Sequence, residues 1–98
     1  MAQIATIALG KNWVKLEDKI AEKVTGFSFD ADKDYQIETR GNSPSYFIEV
    51  DSIPHKDSTD GVQLDSQSSK VIFYKKATKT LYARALIDSI CNITVLGE

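Results

Sequence analysis

Residues 35–50 read YQIETRGNSPSYFIEV and carry the strongest structural signal in the chain. Tyr35, Ile37 and Thr39 alternate with Gln36, Glu38 and Arg40. Gly41-Asn42-Ser43-Pro44 then supplies turn chemistry. Tyr46, Ile48 and Val50 resume the alternation with Phe47, Glu49 and Asp51. Period two is the strand period, because successive side chains on a strand point to opposite faces. Two such runs joined by a short turn predict an antiparallel hairpin with one buried face and one wet face.

The rest of the second half follows the same grammar. Pro54 ends the second run, since proline cannot donate to a central ladder. His55 to Gly61 is polar and reads as a surface loop, with Asp60-Gly61 as its turn. Val62-Gln63-Leu64 is a short strand, and Asp65 to Ser69 is again polar. Val71-Ile72-Phe73-Tyr74 is a strong strand, Lys75 to Lys79 a basic turn, and Thr80 to Ala85 a strand that pairs back as a second hairpin. Cys91, Ile93 and Val95 alternate with Asn92 and Thr94 in a last strand, and Gly97-Glu98 is a frayed end.

The first third is mixed. Ile4 to Leu9 predicts a strand, and Asn12 to Leu16 fits either a strand or a helix start. Trp13, Leu16, Ile20 and Val24 fall at helical spacing, with Glu17, Lys19, Glu22 and Lys23 suited to a wet face. A short helix within Trp13 to Val24 follows, although Phe27 and Phe29 return to strand period. The expected fold is all-β: a small antiparallel sandwich or barrel of about seven short strands with at most one short helix in the first third. An OB-type barrel is the competing topology. The 98 residues are read as a single β domain, with residues 1–11 as an N-terminal arm or edge strand.

Composition narrows function. Twelve Lys and Arg oppose 14 Asp and Glu, a net charge of −2, so non-specific DNA binding is not expected. No apolar run reaches the roughly 18 residues of a membrane span, and the first residues lack the basic start and apolar stretch of a signal peptide. Synthesis in the cytoplasm is therefore expected. Cys91 is the one cysteine and His55 the one histidine, which excludes an internal disulfide, a Cys-rich zinc site and a His-cluster metal site within one chain. A Cys91–His55 nucleophilic pair is outweighed by Cys91 as a small apolar strand residue and His55 as a polar loop residue.

Other candidates meet similar limits. Asp30, Asp32 and Asp34 resemble the opening of a calcium loop, but Tyr35 stands where that loop needs Gly and Gly41 where it needs Glu. A solvated acidic turn is the better reading. Lys70, Lys75, Lys76, Lys79 and Arg84 lie among Phe73, Tyr74 and Tyr82, as in single-strand nucleic-acid binders. Strand alternation sends Phe73 and Tyr74 to opposite faces, and edge lysines guard sheets against aggregation, so nucleic acid is not the expected partner. Glu49 and Asp51 share a strand face but lack the cleft of a glycosidase. Trp13, Tyr46 and Tyr82 could serve as sugar-stacking platforms, although buried aromatics explain them better. Asn92-Ile93-Thr94 matches a glycosylation sequon by chance. There is no Gly-rich phosphate loop and no Ser-His-Asp arrangement, so an enzyme is the least supported class and no cofactor is expected.

Charge is distributed unevenly. Residues 1–24 carry +1, residues 25–69 carry −6 and residues 70–98 carry +3. An acidic middle and a basic end attract each other, either between copies or between neighbouring strands of one chain.

The order of motifs resembles small phage virion proteins, the group of head-decoration and other minor structural proteins. The resemblance runs over residues 12–95. It is carried by Asn12-Trp13-Val14-Lys15-Leu16, by Tyr35 to Pro44, by Asp51-Ser52-Ile53-Pro54, by Gly61-Val62-Gln63-Leu64, by Val71-Ile72-Phe73-Tyr74 and by Leu81-Tyr82-Ala83-Arg84-Ala85. It departs at Lys19 to Thr25. The resemblance implies a structural role in a virion, with the major capsid protein or other virion proteins as partners, a homo-oligomer, and no catalytic residues. Tail, neck or baseplate is the alternative location. For such a role the expected contacts are Ile4, Ile7 and Leu9, on a first strand added to a neighbour's sheet, and the basic turn Lys75, Lys76 and Lys79.

Overall fold

The computed structural model describes residues 2–39, 45–56, 58, 60–64, 71–85 and 91–97. The turn expected at 41–44, the polar stretch 65–69, Lys70 and Glu98 lie outside the described residues, as do the side chains of residues 91–96. Eight strands and one helix are present among the described residues. The strands are β1 (Ala2–Leu9), β2 (Val14–Lys15), β3 (Tyr35–Thr39), β4 (Ser45–Val50), β5 (Val62–Leu64), β6 (Val71–Tyr74), β7 (Thr80–Ala85) and β8 (Cys91–Gly97), and the helix is α1 (Leu16–Ala21).

The strands form two four-stranded antiparallel sheets, one in the order β1-β8-β3-β6 and the other β2-β7-β4-β5. The all-β expectation holds, as a two-sheet fold. The two predicted hairpins do not. β3 lies in the first sheet and β4 in the second, and β6 and β7 are divided in the same way. The chain therefore changes sheet between β3 and β4, and Lys75 to Lys79 carries it from β6 in the first sheet to β7 in the second. A turn signal fixes where the chain reverses, but not whether the next strand bonds beside the last one or faces it across the core. Both arrangements bury alternate residues.

Long-range pairing sets the outcome. β8 inserts between β1 and β3, matching Ile7 with Ile93 and Ile37 with Val95, while β7 inserts between β2 and β4. The end of β8 is not frayed: Gly97 is buried and aligned with both Ala2 and Tyr35. A Cβ on Gly97 would stand 3.1 Å from the Tyr35 ring, a close approach that suits glycine.

One apolar cluster fills the space between the sheets. Ala5, Ile7, Leu9, Tyr35, Ile37 and Tyr74 enter it from the first sheet, and Phe47, Leu81, Ala83 and Ala85 from the second. Leu16 and Ile20, four apart and therefore on one helical face, complete it from α1, which packs against β1, β2 and β7. Trp13 and Val24, the outer members of the expected helical stripe, do not join it. Trp13 precedes β2 and packs elsewhere, and Val24 lies in the turns after the helix ends and is exposed. Phe27 and Phe29 lie in irregular chain rather than a strand, and Phe29 inserts edge-on between Tyr35 (4.8 Å between ring centres) and Tyr74 (4.9 Å). Edge-to-face contact at this spacing matches the charge distribution of aromatic rings.

The second sheet departs from the expectation of one wet face. β7 is buried on both faces from Leu81 to Ala85. Its outer face carries Tyr82, which packs with Trp13 and Tyr46 and is joined by Ile48 and Val50 of β4. Gly61 enters β5 at φ +101°, with its Cα so close to β4 that a Cβ would meet the Ile48 Cβ at 2.9 Å.

Candidate interaction surface

The first predicted contact set is largely structural. Ile7 and Leu9 face the core and are fully enclosed, and Ile4 is half-buried against the same cluster. β1 is aligned with β8 over nearly its whole length, with an irregularity between Gln3 and Ala5. Its other side faces α1 across a groove lined by Thr6, Ile7, Ala8, Lys19, Glu22 and Lys23. Ile7 and Leu9 therefore hold the fold together and are not displayed to a partner. The irregularity and the adjoining helix are devices that blunt an edge strand.

The basic turn divides. Lys75 and Lys79 are exposed, while Lys76 is half-buried with Nζ 4.0 Å from Glu17 Oε1. That turn crosses between the sheets and is anchored by carboxylates. Tyr74 Oη donates to Glu49 Oε2 at 2.7 Å, and the Ala77 N–H donates to the same oxygen at 3.1 Å. Glu17 Oε1 accepts the Phe29 N–H at 2.8 Å. Burial pushes the Tyr74 phenol well above its ordinary range, and the hydrogen bond to Glu49 and the charges of Glu49 and Glu17 push the same way. Glu49 is thus a cross-sheet tie, and Asp51 is an exposed neighbour, so the pair does not form a catalytic dyad.

The outer face of the second sheet holds the three aromatics considered as sugar platforms. All are buried, with Trp13 at 5%, Tyr46 at 8% and Tyr82 at 5% exposure, too little for a ring to stack on. Arg84 lies among them at 3% exposure. Its Nη1 donates to the carbonyls of Lys56 (2.6 Å) and Ser58 (3.0 Å), and its guanidinium stands 5.8 Å from the Trp13 ring centre. Arg84 therefore pins the loop after β4 onto the sheet, and it is removed from the basic patch that the sequence suggested.

The remaining candidates resolve simply. Asp30 Oδ1 accepts the Asp32 N–H at 2.9 Å, and the Lys33 N–H reaches the Asp30 carbonyl at 3.2 Å, which makes the acidic stretch an exposed Asx turn. Among the described residues no group of three or more His, Cys, Asp or Glu could hold a metal ion. Cys91 begins β8 of the first sheet, whereas His55 is exposed in the loop after β4 of the second. The sequon residues Asn92 to Thr94 lie in β8, between β1 and β3. No described helix is long and apolar enough to cross a membrane.

Phe73, considered in the sequence only beside the basic residues, is displayed in its own right. Phe73, on β6, is 77% exposed, the highest value among the large apolar side chains described. Among the described residues β6 ends the first sheet, with β3 as its one neighbour. Phe73 stands opposite Gln36 and shares a shallow depression with Asp34, Tyr74 and Lys75. Four consecutive apolar residues, Val71 to Tyr74, conceal which of them faces water. Ile53 (60%) and Val62 (52%) are likewise displayed, the first in the loop between β4 and β5 and the second on β5, the last strand of the other sheet. No family model, curated protein or solved structure matches this chain.

Proposed function

We propose that the chain is a structural protein of a phage virion that decorates the head shell. The resemblance of its motif order to small virion proteins suggests the role. The observation that carries it is the display of Phe73 and Val62 on the last described strands of the two sheets, with Ile53 exposed in the loop between β4 and β5. Lys75 follows β6 as an edge charge, yet Phe73 itself stays uncovered, which a small sandwich that only had to remain soluble would avoid. A decoration protein needs apolar anchors on its rim, a rigid body behind them, and partners in the shell. The major capsid protein is the proposed partner and the virion the proposed location.

The test is quantitative mass spectrometry of purified virions from the source, scaled to the major capsid subunit. One copy per capsid subunit, or a simple fraction of that, is the expected result. A few copies per particle would move the protein to the neck, tail or baseplate. Complete absence would overturn the virion reading.

A further inference from the structure

We propose that β6 is a self-pairing edge, at which two copies of this chain join their first sheets antiparallel about a two-fold axis at Phe73. The inference shares Phe73 with the virion reading: a dimer would cover Phe73 and leave Val62 and Ile53 as the displayed anchors. The strands that end the two sheets among the described residues are not equivalent. β1 is irregular near its start and flanked by α1, β2 has two residues, and β5 has three. β6 pairs with β3 in regular register from Val71 to Tyr74, without a bulge. It also carries the most exposed large apolar side chain described.

An edge strand offers main-chain donors and acceptors, and an antiparallel copy of itself satisfies both. Centring the axis on Phe73 sets Phe73 against Phe73 of the second copy, and Val71 against Lys75 of the second copy. Side chains opposite each other on one face come within about 5 Å at Cβ, so the two exposed rings would cover each other.

Charge selects the same register. Val71 is aligned with Glu38 on β3, so Glu38 lies one strand behind Val71 on the same face. Lys75 of one copy would lay its aliphatic stem over Val71 of the other and carry its ammonium toward Glu38. The span is about two strand spacings, roughly 10 Å between Cα atoms, which an extended Lys and a Glu can close. The two-fold axis makes this contact twice. Opposite charges therefore meet across the junction on both sides of a central aromatic pair. An interface of this length is small, so the dimer is expected to dissociate at roughly micromolar concentrations.

Sedimentation velocity of the full chain from low micromolar to several hundred micromolar tests the proposal, with circular dichroism to establish that each variant is folded. The wild type should pass from monomer to dimer across that range. Phe73→Glu places like charges at the axis and should weaken the dimer by about tenfold or more without altering the spectrum. Lys75→Glu should weaken it as well, and Lys75→Glu combined with Glu38→Lys should restore it. A wild type that stays monomeric throughout, or a dimer indifferent to both Phe73→Glu and Lys75→Glu, would overturn the proposal.

Discussion

Replacing Tyr74 with Phe removes one oxygen from the tie between the sheets. That oxygen donates to Glu49 Oε2 at 2.7 Å. A hydrogen bond to a charged acceptor contributes roughly 1.5–3 kcal/mol. Glu49 is half-exposed and keeps the Ala77 N–H, so water replaces part of what is lost. The expected loss at neutral pH is therefore about 1–2 kcal/mol, and each kcal/mol lowers Tm by roughly 4–8 °C in a domain of this size.

The pH dependence gives a second signature. The phenol pKa is raised in the folded state, so the folded chain holds that proton more tightly than the unfolded chain does. The contribution is fully present below the unfolded value of about 10 and is lost as pH rises above it. At about pH 11 the unfolded phenol is some tenfold ionised, and the wild type has lost about 1.4 kcal/mol through Tyr74. Tyr74→Phe has no such group to lose. The gap between the two proteins should therefore be 1–2 kcal/mol at about pH 7 and close to zero at about pH 11. Urea unfolding followed by fluorescence of Trp13, the one tryptophan, measures both points. Equal stabilities at neutral pH, or parallel losses between about pH 9 and 11, would refute the reasoning.

Other perturbations test other joints. Leu9→Ala should destabilise by about 2–5 kcal/mol in the same urea assay, because Leu9 is fully buried core and not a displayed contact. Arg84→Met should release the chain around Lys56 and Ser58, read as faster proteolysis in that loop and a red-shifted Trp13 emission; unchanged cleavage would contradict the pinning role. Gly61→Ala should cost more than about 1 kcal/mol, since it combines a left-handed φ with a Cβ that collides with β4. A thermal melt that matches wild type would remove that strain argument.

How far the sequence was legible depends on the range of the interaction. Alternation placed strands at Tyr35–Thr39 and Ser45–Val50, because period two is a property of the local backbone, and β-branched and aromatic runs between turn signals placed Val71–Tyr74 and Thr80–Ala85. Leu16 and Ile20 located the helix through helical spacing, and Asp30 to Asp34 read as a solvated acidic turn, which Asp30 closes as an Asx turn in the fold. Buried aromatics, preferred over sugar platforms at Trp13, Tyr46 and Tyr82, are what the fold contains.

Sheet membership was not readable in this way. The same turn and the same alternation serve a hairpin or a crossing between sheets, and the choice was set by β7 and β8, strands distant in sequence that claimed the neighbouring edges. Burial of Arg84 and exposure of Phe73 follow from that choice. A cation on a strand is solvated unless a loop supplies carbonyls above it, and a phenylalanine in an apolar run is exposed when its face of the strand turns away from the core, as Phe73 does beside buried Tyr74. Local chemistry thus specified the elements of this protein, whereas their partners, and with them the surface available for binding, came from packing between residues far apart along the chain.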